Sequence, residues 1–421
     1  MKVLLVSTSD RKGGAAIACY RIFQALKKNG VEVDMLVRDK ISIDKDIYSL
    51  NTNVYQKIRN FITFCMERIC ILFYRKLKRK QLFEMSFDNF GAFNLLTHKK
   101  IQEADIINFH WTSQGLLSIN QIEKLLEQNK RLIFTMHDMH YFTGVCHYVQ
   151  DCKNYLWGCG NCHFFSNGKK TNDISKQLFL KKQNIKSRES IRYITCSNWL
   201  KETAKKSQML KNAKIYSIPN PINTDIFRPL DKQKAKQKFS LTNKKTILFG
   251  AAKFSDKRKG FEYLIEALKI IHKKNKENNN IQLLIFGQGE SQLLEKLPFD
   301  YKLAGYISGE DKLAWLYSAA DVFVTPSLED NLPNTVMEAL SCAVPCVAFD
   351  TGGLSQMIDH NQNGYLAQLK NSEDLAAGIL QVLNSDNYIT MCHNARSKVE
   401  NNFSEPVIAM KYNEIFRTMS I

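Results

Sequence analysis

The chain has 421 residues with 44% hydrophobic content, enough for two domains of ordinary size, each with its own core. Its start, MKVLLVSTSD, has neither the extended apolar core nor the cleavage site of a signal peptide, and no apolar run approaches the roughly 20 residues that span a bilayer. The 11 cysteines are an odd number, which argues against a disulfide framework. The net charge of +18 favours partners that carry phosphate: nucleotides, nucleic acid or anionic lipid. We therefore expect a cytoplasmic protein.

The first half of the sequence has the pattern of a parallel α/β domain. An apolar strand at 2–7 is followed by a glycine-containing loop, a helix over 15–29 that ends at Gly30, and a strand at 31–37. This order of strand, glycine loop, helix and strand is typical of a parallel α/β unit. Further strands are predicted at 105–110, 131–136, 192–196 and 213–218. Together they predict one doubly wound domain over residues 1–222.

A proline-rich stretch at 219–230 separates this domain from a second one. After it the pattern restarts with a strand at 245–251, a helix over 260–275 and a strand at 281–287. Further strands are predicted at 301–306, 321–326 and 344–350. We predict a second doubly wound domain over 223–405, so the fold class is α/β. Sheets of this kind bind ligands outside the carboxyl ends of their strands.

The segment TPSLEDNLPNTVMEALSCAVPCVAFDTGG, residues 325–353, carries two carboxylates eight positions apart. Asp330 lies in a loop after a strand, and Glu338 lies one turn into the helix that follows. We expect Asn334 or Thr335 to cap that helix. Backbone N–H groups at a helix start form an anion site, and a carboxylate just beyond them can hold sugar hydroxyls. This combination suits a nucleotide sugar; an acidic loop that caps an ordinary helix is the alternative.

This segment resembles the donor-binding motif of the family 4 retaining glycosyltransferases, in which two glutamates separated by seven residues precede a strand and a Gly-Gly pair. Asp330 stands at the first glutamate and is one methylene shorter. Glu329 lies beside it, but the spacing to Glu338 favours Asp330. The resemblance implies the GT-B fold, in which two Rossmann-like domains face each other across a cleft. It also implies that 223–405 is the nucleotide-sugar donor domain and that the amphipathic helix 406–421 packs back on the first, acceptor-side domain.

Residues of the second domain resemble further parts of the family pattern. Lys259 matches a lysine that precedes a glycine at a helix start, and Lys253 or Arg258 replaces an arginine that the family places a few residues earlier. Fixed cations of this kind stabilise the charge that develops on the β-phosphate when a sugar leaves a nucleoside diphosphate. A solvated basic loop is the alternative. The other donor-binding residues that the resemblance implies are Gly287, Tyr306, Ile307, Asn334 and Thr335.

The first domain contributes a glycine loop and a histidine. Gly13 and Gly14 precede a helix start, where the missing side chains let phosphate or sugar approach backbone N–H groups. The loop is not a GxGxxG, so a dinucleotide cofactor is disfavoured. His137 follows a predicted strand and resembles the histidine that the family places beside the donor sugar. His110 ends another strand at the same sheet edge and is a second candidate; a packed core histidine is the alternative for both.

The resemblance implies an enzyme that transfers a sugar from a nucleoside diphosphate sugar to a hydroxyl of a glycan or lipid-linked acceptor, with retention, in the assembly of a capsule, exopolysaccharide or O-antigen. The catalytic residues are then His137, Lys259, Asp330 and Glu338, and no cofactor is required for catalysis. The alternatives are a nucleotide-sugar epimerase of the same fold and a basic nucleic-acid-binding protein with a cysteine knuckle. We expect a nucleotide sugar, and no nucleic acid, as the partner.

Four cysteines lie close together in the sequence. They are Cys146, Cys152, Cys159 and Cys162, flanked by His147 and His163. The last two form a CxxC with a glycine that eases a knuckle turn, and four thiolates complete a tetrahedral zinc site. A closed structural zinc site, two disulfides and free thiols all remain open from the sequence.

The segment from Lys57 to Lys80 surrounds a strongly apolar centre with eight basic residues and one acid. A basic amphipathic helix of this kind lies in a membrane interface, with its cations on the headgroups. The side chains expected to enter the lipid are Phe61, Ile62, Ile69, Leu72 and Phe73. A packed helix with a solvated basic face is the alternative. We predict peripheral attachment to the inner face of a membrane with anionic lipid.

Overall fold

The computed structural model describes residues 1–75, 82–165, 171–185, 190–253, 256–274, 280–288 and 294–420, without the side chains of 251–253 and 420. The chain forms two compact units. The first is Met1–Asn220 together with Ile408–Ile421, and the second is Pro221–Val407. Each unit is an α/β structure built on one parallel sheet.

The first unit contains seven parallel strands. They are β1 (Val3–Ser9), β2 (Val33–Asp39), β3 (Ile47–Ser49), β4 (Ile106–Phe109), β5 (Arg131–Met136), β6 (Ile191–Thr195) and β7 (Ile215–Ser217). The strands lie in the order β3, β2, β1, β4, β5, β6, β7. β1 pairs with β2 on one side and with β4 on the other, so the sheet grows outward from β1 in both directions. The carboxyl ends of β1 and β4 therefore form a topological switch point, the place where such sheets bind ligands.

Helices pack on both faces of this sheet. They are α1 (Gly14–Lys28), α2 (Val54–Tyr74), α3 (Lys99–Glu103), α4 (Ile119–Glu127), α5 (Ile174–Ile185) and α6 (Asn198–Lys206), with short 3₁₀ helices at His140–Phe142 and Asn154–Leu156. Because successive strand residues point to opposite faces, Leu4 and Val6 join one apolar core, whereas Val3 and Leu5 join another. Ser118 starts α4 with a capping box.

The second unit contains six parallel strands. They are β8 (Lys245–Lys253), β9 (Ile281–Gln288), β10 (Tyr301–Gly305), β11 (Val322–Thr325), β12 (Cys346–Phe349) and β13 (Gly364–Ala367). The order β10, β9, β8, β11, β12, β13 places β8 between β9 and β11, so the switch point of this sheet lies at the carboxyl ends of β8 and β11.

Among the described residues of the second half of the chain, six helices and two 3₁₀ helices belong to the second unit, and a last helix joins the first unit. They are α7 (Lys232–Lys238), α8 (Phe261–Lys274), α9 (Glu310–Ser318), α10 (Asn334–Ser341), α11 (Ser372–Leu383), α12 (Tyr388–Asn402) and α13 (Glu405–Ser420), with 3₁₀ helices at Lys257–Lys259 and Leu354–Gln356. α13 buries Ile408, Tyr412 and Phe416, four residues apart, in the same core as Val3 and Leu5.

The sequence pattern located most strands well. β5 coincides with the predicted strand at 131–136 residue for residue, and the other predicted strands overlap observed ones. The short strands β3 and β13 were not predicted. Each has only three or four residues at a sheet edge, and a pattern that short carries little periodic signal.

Candidate functional site

Three loops meet at the carboxyl edge of the second sheet, after β8, β11 and β12. The backbone N–H of Leu328 donates to the carbonyl of Arg258 at 2.8 Å, which joins the first two loops. The N–H of Gly353 donates to the carbonyl of Asp330 at 3.2 Å, and the hydroxyl of Thr351 donates to the carbonyl of Leu328 at 3.2 Å. These bonds fix the backbone on which the predicted cations and the first carboxylate stand.

Two glycines allow this close approach of backbones. Gly260 has φ of 66°, and a Cβ there would lie 2.0 Å from the carbonyl oxygen of Pro326. Gly352 has φ of 60°, and its Cβ would lie 1.8 Å from the carbonyl oxygen of Asp330. Only glycine fits both the left-handed conformation and the contact. The Gly-Gly pair that ends the sequence motif therefore supports the Asp330 loop directly.

A charged cluster stands on these loops. The Nζ of Lys259 lies 2.5 Å from the Oδ2 of Asp330, the Nη1 of Arg258 lies 3.7 Å from the same oxygen, and the hydroxyl of Ser327 donates to it at 3.3 Å. Burial alone raises the pKa of the Asp330 carboxyl, but the charges of Lys259 and Arg258 and the hydrogen bonds hold it below its usual value. The carboxylate is ionised at neutral pH, and these three charged groups together carry one net positive charge.

Glu338 lies in α10, the helix that follows the Asp330 loop. Its side chain is buried, and its Oε2 accepts a hydrogen bond from the hydroxyl of Tyr317 at 2.8 Å. Tyr317 is itself fully buried in α9. Its hydroxyl therefore fixes the orientation of the Glu338 side chain. The second carboxylate of the motif is therefore held in place before any ligand arrives.

The predicted cap of this helix was wrong. Pro333 occupies the N-cap position of α10, no side chain caps the helix, and Asn334 and Thr335 form its first turn. The reason is that Pro333, with its fixed φ, already ends the extended loop and sets the helix start. Asn334 and Thr335 are half-buried, and their assignment to donor binding remains a prediction.

The remaining predicted donor residues are spread along the same sheet edge. Gly287 has φ of 111° near the end of β9, the neighbour of β8. Tyr306 is exposed and Ile307 half-buried; both follow β10, which lies two strands from β8. Lys253 ends β8, but its side chain lies outside the described residues. The structure thus joins Arg258, Lys259 and Asp330 directly and leaves the others as predictions.

The glycine loop of the first unit is open. Gly13 is the N-cap of α1 with φ of 96°, Gly14 is the first helical residue, and no other atom lies within 4 Å of a Cβ built at either position. The loop follows β1, at the switch point of the first sheet. The geometry leaves room for a ligand group beside the helix start.

Three adjacent strands of the first sheet end in interacting side chains. The Nδ1 of His110, after β4, lies 3.0 Å from the Nε2 of His137, after β5. The Nδ1 of His137 lies 3.3 Å from the Sγ of Cys196, after β6. Both ring nitrogens of His137 are therefore engaged by neighbours within the first unit.

The two histidines are neutral at neutral pH. Burial lowers the pKa of His137 to about 4, although the Asp138 carboxylate acts in the opposite direction. Burial and the adjacent ring lower the pKa of His110 well below its usual value. Asp138 is held by the indole N–H of Trp111 at 3.1 Å and by His147 at 2.8 Å. A neutral imidazole can donate or accept a hydrogen bond, and the role of His137 beside a donor sugar stays a prediction.

Some residues of these clusters were not predicted from the sequence. Cys196 could have been found, because it ends a predicted strand at the same edge as the two histidines. Ser327 and Tyr317 gave no signal, since a serine in a loop and a tyrosine in an apolar helix are ordinary residues there.

The four clustered cysteines line one small cavity of the first unit, and His163 lies on the same wall. His147, the other predicted flanking histidine, is engaged elsewhere, with its ring nitrogens 2.8 Å from Asp138 and 3.1 Å from Ser86. Within the described ranges, no group of three or more His, Cys, Asp or Glu side chains is arranged as a formed metal site.

Two family descriptions match the sequence. Glycosyltransferase Family 4 matches residues 12–226, about half of the chain, and Glycosyl transferases group 1 matches residues 244–385.

Curated relatives carry related names. An uncharacterized glycosyltransferase of Methanocaldococcus jannaschii is 28% identical over 73% of this chain and 81% of its own length. UDP-Gal:alpha-D-GlcNAc-diphosphoundecaprenol alpha-1,3-galactosyltransferase of Escherichia coli is 24% identical over 51% of this chain and 56% of its own length. The capsular polysaccharide biosynthesis glycosyltransferase CapM of Staphylococcus aureus is 26% identical over 53% of this chain and 61% of its own length. The chain thus spans only a little more than half the length of the last two.

Solved structures share the whole fold. Sucrose-phosphate synthase of Thermosynechococcus elongatus superposes with a TM-score of 0.70 at 20% identity, covering 99% of this chain and 98% of that one. Anabaena HepE in complex with UDP-glucose gives a TM-score of 0.65 at 14% identity, covering 99% and 100%. The two parallel α/β sheets and these likenesses define the GT-B fold of glycosyltransferases. The chain belongs to glycosyltransferase family 4, so the predicted fold class and family are confirmed.

Proposed function

We propose that this chain transfers a sugar from a nucleoside diphosphate sugar to a hydroxyl of a glycan or lipid-linked acceptor in surface polysaccharide assembly, with retention. The observation that carries the proposal is the cluster of Arg258, Lys259 and Asp330 at the switch point of the second sheet. Lys259 and Arg258 both face Asp330, and Arg258 also pairs with the more exposed Asp256 at 3.4 Å, so the Lys259 ammonium is the cation that we assign first to the diphosphate. Family membership supports the assignment of this cluster to the donor site.

The cluster supplies the electrostatics of the reaction. When the bond between sugar and diphosphate breaks, negative charge grows on the β-phosphate, and Lys259 and Arg258 stabilise that charge without a metal ion. Asp330 holds the Lys259 ammonium in place, so little reorganisation is needed at the moment of transfer. The acceptor hydroxyl enters on the face of the leaving group, and its proton passes to the leaving phosphate. Retention of configuration follows from this geometry.

The donor class is supported by the relatives. The Escherichia coli relative is named for a UDP-linked galactose and a diphosphoundecaprenol-linked acceptor, and the Staphylococcus aureus relative is named for capsular polysaccharide biosynthesis. We therefore place UDP-hexoses first among the donors and a lipid-linked glycan first among the acceptors. We assign Glu338, whose carboxyl accepts a hydrogen bond from Tyr317, to the hydroxyl groups of the donor sugar.

A thermal-shift screen with UDP, GDP and ADP sugars tests the donor site, because a ligand that binds only the folded state raises the melting temperature. We expect one nucleotide class to raise it and Lys259→Ala to abolish the shift. The matched control is Lys398→Ala, which removes an ion pair with Asp359 in the same unit at similar side-chain exposure. If the nucleotide sugar raises the melting temperature of both variants equally, the cluster does not bind the donor. The anomeric configuration of a transfer product, read by NMR, tests retention.

The second part of the proposal is attachment to a membrane surface through α2. Exposed apolar side chains recur on it every three or four residues and form one face: Ile58, Ile62, Met66, Ile69 and Phe73, with Phe61 beside Ile62, each 48% to 78% exposed. A soluble protein seldom exposes so continuous an apolar stripe without a partner. The formal charge of +18 favours an anionic surface as that partner. None of the described helices is long and apolar enough to cross a membrane.

The structure corrects part of the predicted basic face. Arg68 and Arg75 are buried and not exposed to headgroups, and Arg68 pairs with the buried Glu67 at 2.9 Å. Leu72 is only half-buried, at the border of the apolar face. Lys57 and Arg59 are the exposed cations of α2, while the predicted cations at 76–80 lie outside the described residues. Attachment therefore rests chiefly on the apolar face.

Flotation with lipid vesicles tests this attachment. We expect binding to vesicles that contain phosphatidylglycerol, and at least tenfold weaker binding by the double variant Phe61→Ser, Ile69→Ser. The control is Ile389→Ser, which removes an equally exposed apolar side chain elsewhere in the chain. Equal binding by the double variant and the control would refute the proposal, as would self-association through α2 in the absence of lipid.

A further inference from the structure

A long irregular segment of the first unit separates β5, which ends at Met136, from α5, which begins at Ile174. Within the described residues of this stretch, regular structure is limited to two three-residue 3₁₀ helices. Loops of this length without regular structure are uncommon in compact domains. Because few regular backbone hydrogen bonds hold such a segment, its conformation depends on contacts between its side chains or on a bound ion.

The four cysteines of this segment converge on one cavity of about 20 Å³, which is room for a single occupant of atomic size. Cys146 and Cys162 are buried at its wall. Cys159 and Cys152 line the same cavity from the other stretches of the loop. Cysteines separated by up to sixteen positions in the sequence thus line one enclosed space.

The CxxC of the last two cysteines lies in a left-handed stretch of backbone. Cys159, Gly160 and Asn161 have φ of 59°, 90° and 48°, so the chain turns tightly between the two sulfurs of the CxxC. The N–H of Gly144 donates to the Sγ of Cys159 at 3.3 Å. An N–H directed at a cysteine sulfur is the kind of outer hydrogen bond that orients a metal ligand.

We propose that Cys146, Cys152, Cys159 and Cys162 bind one Zn²⁺ as a closed, structural site. The four thiols give up their protons to solvent as the ion binds, and four thiolates at about 2.3 Å complete the tetrahedral shell that zinc prefers. In the described residues the four sulfurs are not arranged as a formed metal site. Zinc binding therefore requires the cysteine side chains to move from the cavity wall towards the ion. No oxidant is needed, in contrast to a pair of disulfides.

The site stabilises the segment that follows His137. Cys146 directly precedes His147, which is bonded to Asp138 at 2.8 Å, and Asp138 is the neighbour of His137. The ion would therefore fix the base of the histidine cluster without touching a substrate. This inference is independent of the proposed reaction.

Metal analysis of the purified full chain tests the proposal. We expect about one equivalent of zinc, released by a mercurial that modifies thiols, and intense thiolate-to-metal absorption when Co²⁺ replaces zinc. Cys162→Ser is expected to lose the metal, and the control Cys392→Ser, which changes a half-buried cysteine of the second unit, to keep it.

Two outcomes would overturn the proposal. One is alkylation and mass spectrometry that finds disulfides among the four cysteines in metal-free protein. The other is four free thiols in a folded chain that neither contains zinc nor binds added Zn²⁺ or Co²⁺. Should Cys162→Ser fail to fold, removal of the metal from the unmodified protein by a chelator decides the same question, since the melting temperature should fall and recover on return of Zn²⁺.

Discussion

Lys259 and Asp330 are bonded to each other, with 2.5 Å between the Nζ of the lysine and the Oδ2 of the aspartate. The sequence motif predicts that the lysine binds phosphate and that the carboxylate binds sugar. In the structure these two side chains form one ion pair. The Lys259 ammonium has three donors and can hold Asp330 and a phosphate oxygen at the same time. In the proposed reaction, Asp330 would therefore act partly through the position of Lys259.

This pairing predicts non-additive variants. We expect Lys259→Ala and Asp330→Asn each to lower kcat/KM about 10- to 100-fold, because a preorganised cation is lost or loosened. In the double variant the two losses should overlap by about 1 to 2 kcal/mol, as expected for residues in contact. A double-mutant cycle on steady-state kinetics measures the overlap. Fully additive losses would mean that Asp330 acts on the sugar independently of the lysine.

The contact of Gly352 with the Asp330 loop predicts a steric cost. Gly352→Ala should destabilise the protein by about 2 to 4 kcal/mol, since it combines a left-handed backbone with an overpacked contact to the carbonyl of Asp330. Gly305→Ala is the control: its φ of 67° is similar, but no other atom lies within 4 Å of the new Cβ. That variant should lose only about 1 kcal/mol, the cost of the backbone conformation. Denaturant unfolding measures the free energy of unfolding of both variants. Equal decreases would show that the Asp330 loop shifts to accommodate the new methyl group.

Tyr317 predicts a way to test Glu338 without changing the carboxylate. Tyr317→Phe removes one buried hydrogen bond to the carboxyl group of Glu338, which contributes about 1 kcal/mol to stability. If Glu338 holds hydroxyl groups of the donor, the loosened carboxylate should raise KM for the nucleotide sugar more than it lowers kcat. Kinetics at varied donor concentration resolve this split. The control Phe323→Leu alters the ring that packs on Tyr317 and keeps the hydrogen bond. If Tyr317→Phe leaves KM for the nucleotide sugar unchanged, Glu338 does not contribute to donor binding.

The histidine cluster predicts how stability depends on pH. The pKa of His137 is about 4 in the folded chain against 6.5 for an ordinary histidine, and that of His110 is also depressed. Between these values the unfolded chain binds more protons than the folded one, so stability falls as the pH falls from 6.5 towards 4. Asp138, whose pKa is lowered to about 2, and Asp88, whose pKa is also lowered, add to the loss only as the pH approaches the ordinary value of 3.8, where these carboxyls protonate in the unfolded chain.

Melting temperatures recorded from pH 7 to 4.5 check this dependence. His137→Asn should flatten part of the decline, because it removes one of the groups that protonates on unfolding. The exposed His393→Asn serves as a control outside the first unit. A decline of the same slope in all three proteins would assign the acid sensitivity to other groups.

The sequence predicted the architecture because the relevant pattern is local. Buried parallel strands are continuous apolar runs such as RLIFTM, and the observed β5 has the same bounds as that run. The motif from 325 to 353 located Asp330, Glu338 and the Gly-Gly pair by spacing alone. The cap of α10 was missed because Pro333 took the position that a polar side chain usually fills.

The sequence could not show which side chains meet. The bond between His137 and Cys196 joins residues 59 positions apart, and the bond between Lys259 and Asp330 joins residues 71 positions apart. The pattern around α2 counted Arg68 and Arg75 as exposed cations, although tertiary packing buries both. A basic side chain beside an apolar stripe can extend into solvent or pack against the protein, and the residues around it in the fold determine which.

By itself the sequence determined the two parallel α/β units, their family and the positions of the acidic motif, because strand periodicity, glycine turns and motif spacing are properties of neighbouring residues. Only the tertiary structure decided that Asp330 pairs with Lys259, that His137 is held by both nitrogens and that four cysteines share a cavity. Those relationships depend on the pairing of β8 with β11, of β4 with β5 and of β5 with β6, and on the course of a long loop. Strand order brings distant residues to one edge, and local pattern does not encode it.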